Sequence, residues 1–315
     1  MVATVVFFAT SVLPGDYVAQ RIAAQNPIPD NPELAQQQLD AVREDLGLDD
    51  PVGVRYLQYM GNLLQGDFGT SFETRENAIK GFMDGFPYTL QLGIMTLIVA
   101  TMTAIPIGIL SAIRQDTISD YVLRVFSIIA LAAPNFWVAT MLLLYVIRGI
   151  PLPFTDAEIG WTIDLTSQAL IWEDPITSLK LFAIPAIAGG IAAGAGVMRL
   201  LRSQMLEVLR ADYIRTAWAK GMRERSVVVR HALKNAMIPV LTVLGLQIAG
   251  LIGGSVVFEF LFNIPGVGNR ILRSITARDV PVVQAFILVI ATFVVFVNLA
   301  VDVAYSIVDP RIRFS

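Results

Sequence analysis

The sequence contains no cysteine and only one histidine, His231, among its 315 residues. The absence of cysteine excludes disulfide bonds, thiolate metal sites and iron–sulfur clusters within this chain. A single imidazole also excludes a metal centre built from several histidines. Because His231 lies in a basic segment, we interpret it as a surface or interface residue rather than a ligand.

Charged residues are scarce as well. They make up 16% of the chain, and hydrophobic residues make up 55%, whereas soluble domains have about 25% and 45–50%. The mean hydropathy is +0.63. The formal net charge of −3 gives no reason to expect a nucleic-acid partner. The apolar residues are concentrated in long runs, which indicates an integral membrane protein.

Long apolar runs are the main structural signal, since about 20 such residues cross about 30 Å of hydrocarbon as a helix. The runs that meet this length are Leu90–Ile113, Val122–Ile147, Leu179–Leu201, Ala236–Phe262 and Val282–Val308. Each is predicted to be a transmembrane helix, because core helices of soluble proteins seldom stay apolar for so long. The pairs Gly190/Gly194 and Gly250/Gly254 are expected to let helices approach closely.

The apolar start of the chain, residues 1–13, reaches only about 20 Å as a helix. We expect it to be the outer part of a first transmembrane helix that is truncated in this sequence, so that the fold is all-α with six transmembrane helices. Residues 14–87 are expected to form a mostly helical extracytoplasmic cap, with a short amphipathic helix at Val52–Leu64. A five-helix core, 88–310, and a cytoplasmic tail, 311–315, complete the predicted organisation.

The charges of the loops predict the orientation. Residues 199–234 contain nine basic and three acidic residues, a balance of +6, and the positive-inside rule places them in the cytoplasm. Residues 149–179 contain five acidic residues and no Lys or Arg. Residues 14–87 contain five basic and twelve acidic residues, a balance of −7. Both of these segments are therefore expected outside, and both termini inside.

A short amphipathic helix is predicted within the cytoplasmic segment 210–234. Apolar residues recur there every four positions, at Ile214, Trp218 and Met222. Asp212 is the predicted N-cap, and Gly221 is expected to end the helix in a left-handed conformation. Such a helix can dock on a partner protein or lie on anionic lipid, and its pattern alone favours neither.

The same segment carries a motif. Arg215-Thr216-Ala217, followed after three residues by Gly221, resembles the cytoplasmic signature loop of binding-protein-dependent ABC importer permeases, which in general form is Glu-Ala-Ala, three residues, Gly. The Arg and Thr, and the long gap from Gly221 to Pro239, are typical of the peptide-permease branch. Trp218 stands where that branch often has a basic residue.

Further motifs occur in the same order as in that branch. They are Leu13-Pro14-Gly15-Asp16, Gly66-Asp67-Phe68-Gly69-Thr70-Ser71, Ala133-Pro134-Asn135-Phe136-Trp137, Phe262-Asn263-Ile264-Pro265-Gly266-Val267-Gly268 and Arg278-Asp279-Val280-Pro281-Val282-Val283-Gln284. The third of these is expected inside a transmembrane helix. Over nearly its whole length the chain resembles the first permease subunit of dipeptide and oligopeptide importers.

This resemblance implies a permease of the type I ABC importer kind in the bacterial inner membrane, where it would form half of a translocation pore. The implied partners are a second homologous permease subunit, two cytoplasmic ATPase subunits and an extracytoplasmic substrate-binding protein. The chain contains no Gly-rich loop ending in Gly-Lys-Ser/Thr. It is therefore not expected to be an enzyme by itself or to hold a cofactor; ATP and Mg would bind the ATPases.

The residues expected to couple the chain to the ATPases are Asp212, Ile214, Arg215, Thr216, Ala217, Trp218, Lys220 and Gly221. Of these, Ile214, Ala217 and Trp218 are expected to form the buried contact. Asn135, Gln247 and Asn298 can line the translocation path or bond to neighbouring helices. Arg148 and Glu259, at outer helix ends, are expected to be solvated.

Other functions stay open at the level of sequence. A permease of the same family for nickel or another small solute has the same pattern. An ion-coupled secondary transporter usually shows a mid-membrane acid or a paired repeat, and we find neither in the sequence. An intramembrane hydrolase is disfavoured, since the lone His231 lies outside the apolar runs and there is no Gly-x-Ser-x-Gly motif.

Overall fold

The computed structural model describes residues 1–11, 33–34, 36–37, 40–41, 50–147, 150–151, 158–159 and 165–308. They divide into two compact units: residues up to Pro87 with Pro265–Phe296, and Tyr88–Ile264 with the residues from Val297 onward. Much of the predicted cap and the predicted tail 311–315 lie outside the described residues. The predicted domain boundaries therefore stay a prediction.

The described residues are mostly helical. The helices are α1 (Val2–Ser11), α2 (Val52–Leu64), α3 (Ala78–Ile113), α4 (Ile118–Ala132), α5 (Asn135–Ile147), α6 (Pro175–Leu209), α7 (Asp212–Ala219), α8 (Glu224–Ser226), a π-helical segment (Val227–Leu233), α9 (Lys234–Ala249), α10 (Leu251–Gly254), α11 (Val256–Leu261), α12 (Val267–Thr276) and α13 (Val280–Val308). Two-residue strands, β1 (Ile150–Pro151) and β2 (Glu158–Ile159), pair antiparallel with Ile150 opposite Ile159. The amphipathic helix predicted at Val52–Leu64 is confirmed as α2.

Several helices have the length and hydropathy of membrane spans. In the described part of the chain these are Ala78–Ile113, Pro175–Leu209, Glu224–Ile248 and Val280–Val301. The bent pair α4 and α5 adds a fifth if it is counted as one span. The mostly helical architecture is thus confirmed, with four or five candidate spans in the described residues. The predicted count of six stays a prediction.

The predicted span Val122–Ile147 is not one straight helix. It is broken between α4 and α5, whose axes differ by 96°. Ala133, the residue before Pro134, is extended, with φ −73° and ψ 128°. Proline disfavours the helical conformation of the preceding residue and has no N–H to donate. Ala133 and Pro134 therefore form the break, and the remaining residues of the motif begin α5 at Asn135. The prediction that the whole motif lies inside one transmembrane helix was wrong.

The predicted span Ala236–Phe262 also differs from the structure. Helix α9 ends at Ala249, and the short helices α10 and α11 follow instead of a continuous helix. The break coincides with Gly250, Gly253 and Gly254, and glycine is the poorest helix former after proline. The candidate span lies further toward the N-terminus, at Glu224–Ile248.

Helix α6 is the central element of the second unit, where it packs against α4, α5 and α9. A Cβ atom added to Gly190 would lie 2.6 Å from Cβ of Val99, and one added to Gly194 would lie 2.8 Å from the carbonyl oxygen of Ala100. The predicted close approach at Gly190/Gly194 is therefore confirmed, with α3 as the neighbour. At Gly250 an added Cβ would meet only oxygens of its own helix, at 3.5 and 3.8 Å, so this glycine makes no close approach.

In the first unit, two of the motifs meet. Asp279, which is 2% exposed, accepts hydrogen bonds from Oγ of Ser71 at 2.5 Å and from the backbone N–H of Phe72 at 3.1 Å. Gln284 Nε2 donates to Oγ1 of Thr10 at 2.6 Å. These polar contacts connect segments that are far apart in sequence into one packed unit.

Candidate coupling helix and translocation cavity

The predicted coupling helix is present as α7. Its N-cap is Ala211, with φ −68° and ψ 148°, and no side chain caps the helix. Asp212 is instead the first helical residue, so its prediction as the N-cap was wrong. The carboxylate still lies in the first turn, where a negative charge interacts favourably with the helix dipole.

The C-terminal end of α7 has the predicted glycine geometry. Gly221 has φ +75°. Its N–H donates to the carbonyl oxygen of Trp218 at 2.9 Å, and the N–H of Met222 donates to that of Ala217 at 3.3 Å. These two bonds form a Schellman motif, which satisfies carbonyls that a helix end leaves without partners. The prediction that Gly221 ends the helix in a left-handed conformation is confirmed.

One side of α7 is buried against the chain itself. Ile214 has no exposed surface, and Ala217 is 7% exposed. Both belong to an apolar cluster with residues of α6 and of the π-helical segment, among them Val197, Leu201 and Val227. The expectation that Ile214 and Ala217 form a buried contact with an ATPase is therefore corrected, because their own chain already covers them.

The other side of α7 is polar and exposed. Asp212, Arg215, Thr216 and Lys220 all lie there. Nη1 of Arg215 lies 3.4 Å from Oδ1 of Asp212, and these side chains are 74% and 97% exposed. Water and salt screen such an ion pair, so it adds little rigidity. Trp218 is 44% exposed and supplies apolar surface at the edge of this polar face. The role of all these residues in coupling stays a prediction.

A cavity of about 250 Å³ lies within the second unit. Its lining residues are Leu92, Gly93, Thr96, Leu97, Ala100, Asn135, Gly189, Ala193, Gln247, Gly250, Leu251, Ser255 and Phe258. The structure thus brings Asn135 and Gln247, which are 112 positions apart, to the same cavity. Asn298 is exposed and is not among the lining residues.

A buried carboxylate lies next to this cavity. Glu259 has no exposed surface and accepts hydrogen bonds from Oγ1 of Thr89 at 2.7 Å and from Oγ of Ser255, a lining residue, at 2.6 Å. The expectation that Glu259 is solvated was therefore wrong. Hydrogen bonds from hydroxyl groups allow a polar group to be buried at lower cost. Arg148 lies outside the described residues.

A second buried carboxylate was missed by sequence reasoning. Asp120, also without exposed surface, accepts from Nε and Nη2 of Arg202 at 3.0 and 2.9 Å and from Oγ of Ser111. Nη2 of Arg124 lies 3.0 Å from the same carboxylate. The cluster joins the end of α3, the start of α4 and the C-terminal part of α6. Asp120 lies close to the polar residues that separate two apolar runs, so its position in the sequence does not distinguish a buried carboxylate from a solvated one.

Several helices of membrane-spanning length, a mainly apolar cavity with two amide and two hydroxyl side chains, and a short helix packed against the apolar cluster are the features of a polytopic membrane protein. The chain belongs to the family described as "Binding-protein-dependent transport system inner membrane component", which matches residues 104–314. A second family, "Binding-prot-dependent transport system membrane comp, N-term", matches residues 1–93.

Similar proteins cover nearly the whole chain. It is 40% identical over 286 residues to the oligopeptide transport system permease protein AppB of Bacillus subtilis (strain 168), covering 90% of this chain and 88% of the relative. It is 36% identical over 320 residues to the dipeptide transport system permease protein DppB of Escherichia coli (strain K12), covering 98% and 92%. It is 35% identical over 331 residues to the di/tripeptide transport system permease protein DppB of Pseudomonas aeruginosa (strain UCBPP-PA14), covering 99% and 94%. An ion-coupled carrier is not favoured by these relatives.

Proposed function

We propose that this chain is the membrane-spanning permease subunit of an ATP-driven importer of di- and oligopeptides, and that it forms half of the translocation pore. The observation that carries the proposal is the similarity, over nearly the full length, to permease proteins named for dipeptide, di/tripeptide and oligopeptide transport. The cavity in the second unit is consistent with a solute pathway.

The assembled importer would contain further subunits. A second homologous permease would complete the pore, an extracytoplasmic binding protein would deliver the peptide, and two cytoplasmic ATPases would bind ATP and Mg. The chain itself would hold no cofactor. Its family description, which names a binding-protein-dependent transport system, supports this set of partners.

We also propose an orientation and a span count. Residues 210–223 lie between the candidate spans Pro175–Leu209 and Glu224–Ile248, within the stretch 199–234 whose charge balance is +6. They would face the cytoplasm, as would both termini. Residues 14–87 would form the extracytoplasmic cap. The complete set would be six spans, with α1 contributing to the first. The described spans and the loop charges support this arrangement.

The coupling contact would use the exposed face of α7 rather than its buried face. Asp212, Arg215, Thr216 and Lys220 would contact an ATPase, with Trp218 as an apolar anchor at the edge. Ile214 and Ala217 would connect α7 rigidly to α6, so that a push on α7 moves the spanning helices as a body. The burial of Ile214 and Ala217 in the core of the second unit supports this division of roles.

Peptide uptake tests the function. The chain, a second permease, the ATPases and the binding protein are reconstituted in vesicles, and uptake of a labelled dipeptide is measured with ATP present and absent. We expect ATP-dependent uptake that also requires the binding protein. Uptake of nickel but not of peptide under the same conditions would assign the chain to a different substrate and contradict the proposal.

Cross-linking tests the coupling face. The sequence contains no cysteine, so a single one can be introduced without background. We expect Thr216→Cys to cross-link to an ATPase subunit through a short reagent with one thiol-reactive and one photoactivatable end, because Thr216 is exposed. Ile214→Cys, at a fully buried position, is the matched control and should not react. Equal cross-linking at both positions would contradict the proposed face.

A further inference from the structure

Two amide side chains at the cavity have their orientations fixed by hydrogen bonds. Asn135 Oδ1 accepts from the backbone N–H of Phe136 at 2.8 Å. Gln247 Nε2 donates to the carbonyl oxygen of Ala193 at 3.2 Å. The oxygen and nitrogen of a side-chain amide are distinguished by such partners. The first bond therefore orients the Asn135 oxygen toward the backbone N–H of Phe136. The second orients the Gln247 nitrogen toward the carbonyl oxygen of Ala193, on the neighbouring helix α6.

The remaining atoms of these amides form a complementary pair. Within the described part of the chain, Nδ2 of Asn135 donates no hydrogen bond and Oε1 of Gln247 accepts none. Asn135 therefore has N–H groups to offer, and Gln247 has a carbonyl oxygen to offer. A peptide group has one C=O acceptor and one N–H donor. These are the groups that the two unused atoms can satisfy.

We propose that the cavity is a substrate site that recognises the peptide backbone, with Asn135 donating to a peptide carbonyl oxygen and Gln247 accepting from a peptide N–H. This inference rests on the proposed function, because it assumes that peptides pass through the chain. The site would therefore recognise the peptide group, which every peptide contains whichever side chains it carries.

The rest of the lining suits such a site. Among the lining residues that the structure describes, none is charged. The walls are mainly apolar, with Leu92 and Phe258 as large members. Ligand sites typically combine apolar walls with a few placed polar groups. A volume of about 250 Å³ is somewhat below the usual 300–1,000 Å³ of such sites. The cavity therefore fits a short stretch of peptide, and it does not select peptides by charge.

The competing explanation is that Gln247 only braces α9 against α6 through Ala193. The two explanations assign the function to different atoms of one side chain: the acceptor Oε1 for recognition and the donor Nε2 for bracing. Gln247→Met removes both atoms at similar length. Gln247→Glu keeps an acceptor oxygen and removes the donor. The two variants therefore distinguish recognition from bracing.

The experiment measures uptake of a labelled dipeptide and of its ester analogue, in which an oxygen replaces the peptide N–H. The complete importer is reconstituted in vesicles with one and the same binding protein. Since the preference of the binding protein is constant, it cancels when the amide-to-ester ratio of a variant is divided by that of the unmodified importer. We expect Gln247→Met to lower the amide-to-ester uptake ratio about three- to tenfold relative to the unmodified importer, the effect of one lost hydrogen bond. Gln247→Glu should retain it.

Two further variants complete the test. Asn135→Asp keeps the oxygen that accepts from Phe136 and replaces the donor. It should lower uptake of both compounds, since both have a carbonyl oxygen, and change their ratio less than Gln247→Met does. Gln115→Leu removes an exposed amide that does not line the cavity, and it should change neither quantity. An unchanged ratio in Gln247→Met, equal loss in Gln247→Met and Gln247→Glu, or no amide preference in the unmodified importer would overturn the inference. No peptide uptake by the unmodified importer would instead contradict the proposed function.

Discussion

The buried carboxylate of Asp120 allows a quantitative prediction about stability. Arg202 contributes two hydrogen bonds to it, at 2.9 and 3.0 Å, and Arg202→Met removes both while keeping much of the side-chain volume. Removing one partner of a buried ion pair typically costs 3–5 kcal/mol. Arg124, whose side chain is 35% exposed, still lies 3.0 Å from the carboxylate. We therefore expect the lower end of this range, about 3 kcal/mol.

The assay is thermal unfolding of the purified importer in detergent, followed by tryptophan fluorescence. A loss of about 3 kcal/mol should lower the unfolding temperature by an amount on the order of 5 °C or more. Lys80→Met is the control, since it removes a basic side chain whose ion pair with Glu76 is exposed at 58% and 51%. It should leave the unfolding temperature unchanged, because exposed pairs contribute little.

The double variant Asp120→Asn, Arg202→Met gives the decisive comparison. The cost of Arg202→Met is attributed to a charge left buried without its main partner. Replacing that charge by a neutral amide should therefore recover much of the stability. A double variant no more stable than Arg202→Met alone, or a control as damaging as Arg202→Met, would refute the reasoning and assign the loss to packing.

Three further predictions follow from the backbone and from helix contacts. Gly221→Val should abolish coupled uptake because a β-branched residue disfavours φ +75°, whereas Gly221→Asn should retain most of it; equal activities would contradict this. Gly190→Ala should lower the unfolding temperature, because the added Cβ would lie only 2.6 Å from Cβ of Val99 and must push the helices apart, an overpacking cost of about 1–3 kcal/mol. Gly196→Ala, where nothing lies within 4 Å, should not, so equal shifts would refute the packing argument. Asp279→Asn should lower stability by about 1–2 kcal/mol by weakening the bonds from Ser71 and Phe72, and an unchanged unfolding temperature would contradict that role.

The sequence predicted the fold where length and hydropathy alone decide it. The runs that became α3, α6 and α13 are long enough to cross a bilayer whatever their neighbours are. The break at Pro134 was missed because its surroundings remain apolar, and hydropathy does not register a change of helix direction. The end of α9 was missed for the same reason, since glycines hardly lower the hydropathy of the run.

The candidate site was predicted in part. The periodicity identified Ile214 as a member of an apolar stripe, and it is buried, but periodicity does not tell which surface covers a stripe. Likewise the positions of Asp120 and Glu259 in the sequence gave no information about the arginine and hydroxyl partners that allow their burial. The left-handed turn at Gly221 was predictable, because few other residues adopt that conformation at low cost.

The bond between Ser71 and Asp279 also affects how the protein is made. The two residues are 208 positions apart, and a ribosome adds about 5–20 residues per second. About 10–40 s therefore pass between the synthesis of Ser71 and that of Asp279, the acceptor of its hydrogen bond. During this time the residues up to Pro87 exist without Pro265–Phe296, which complete their unit. Nascent chains that stall between these segments therefore lack the residues that complete the first unit, and they expose the surface that those residues would cover.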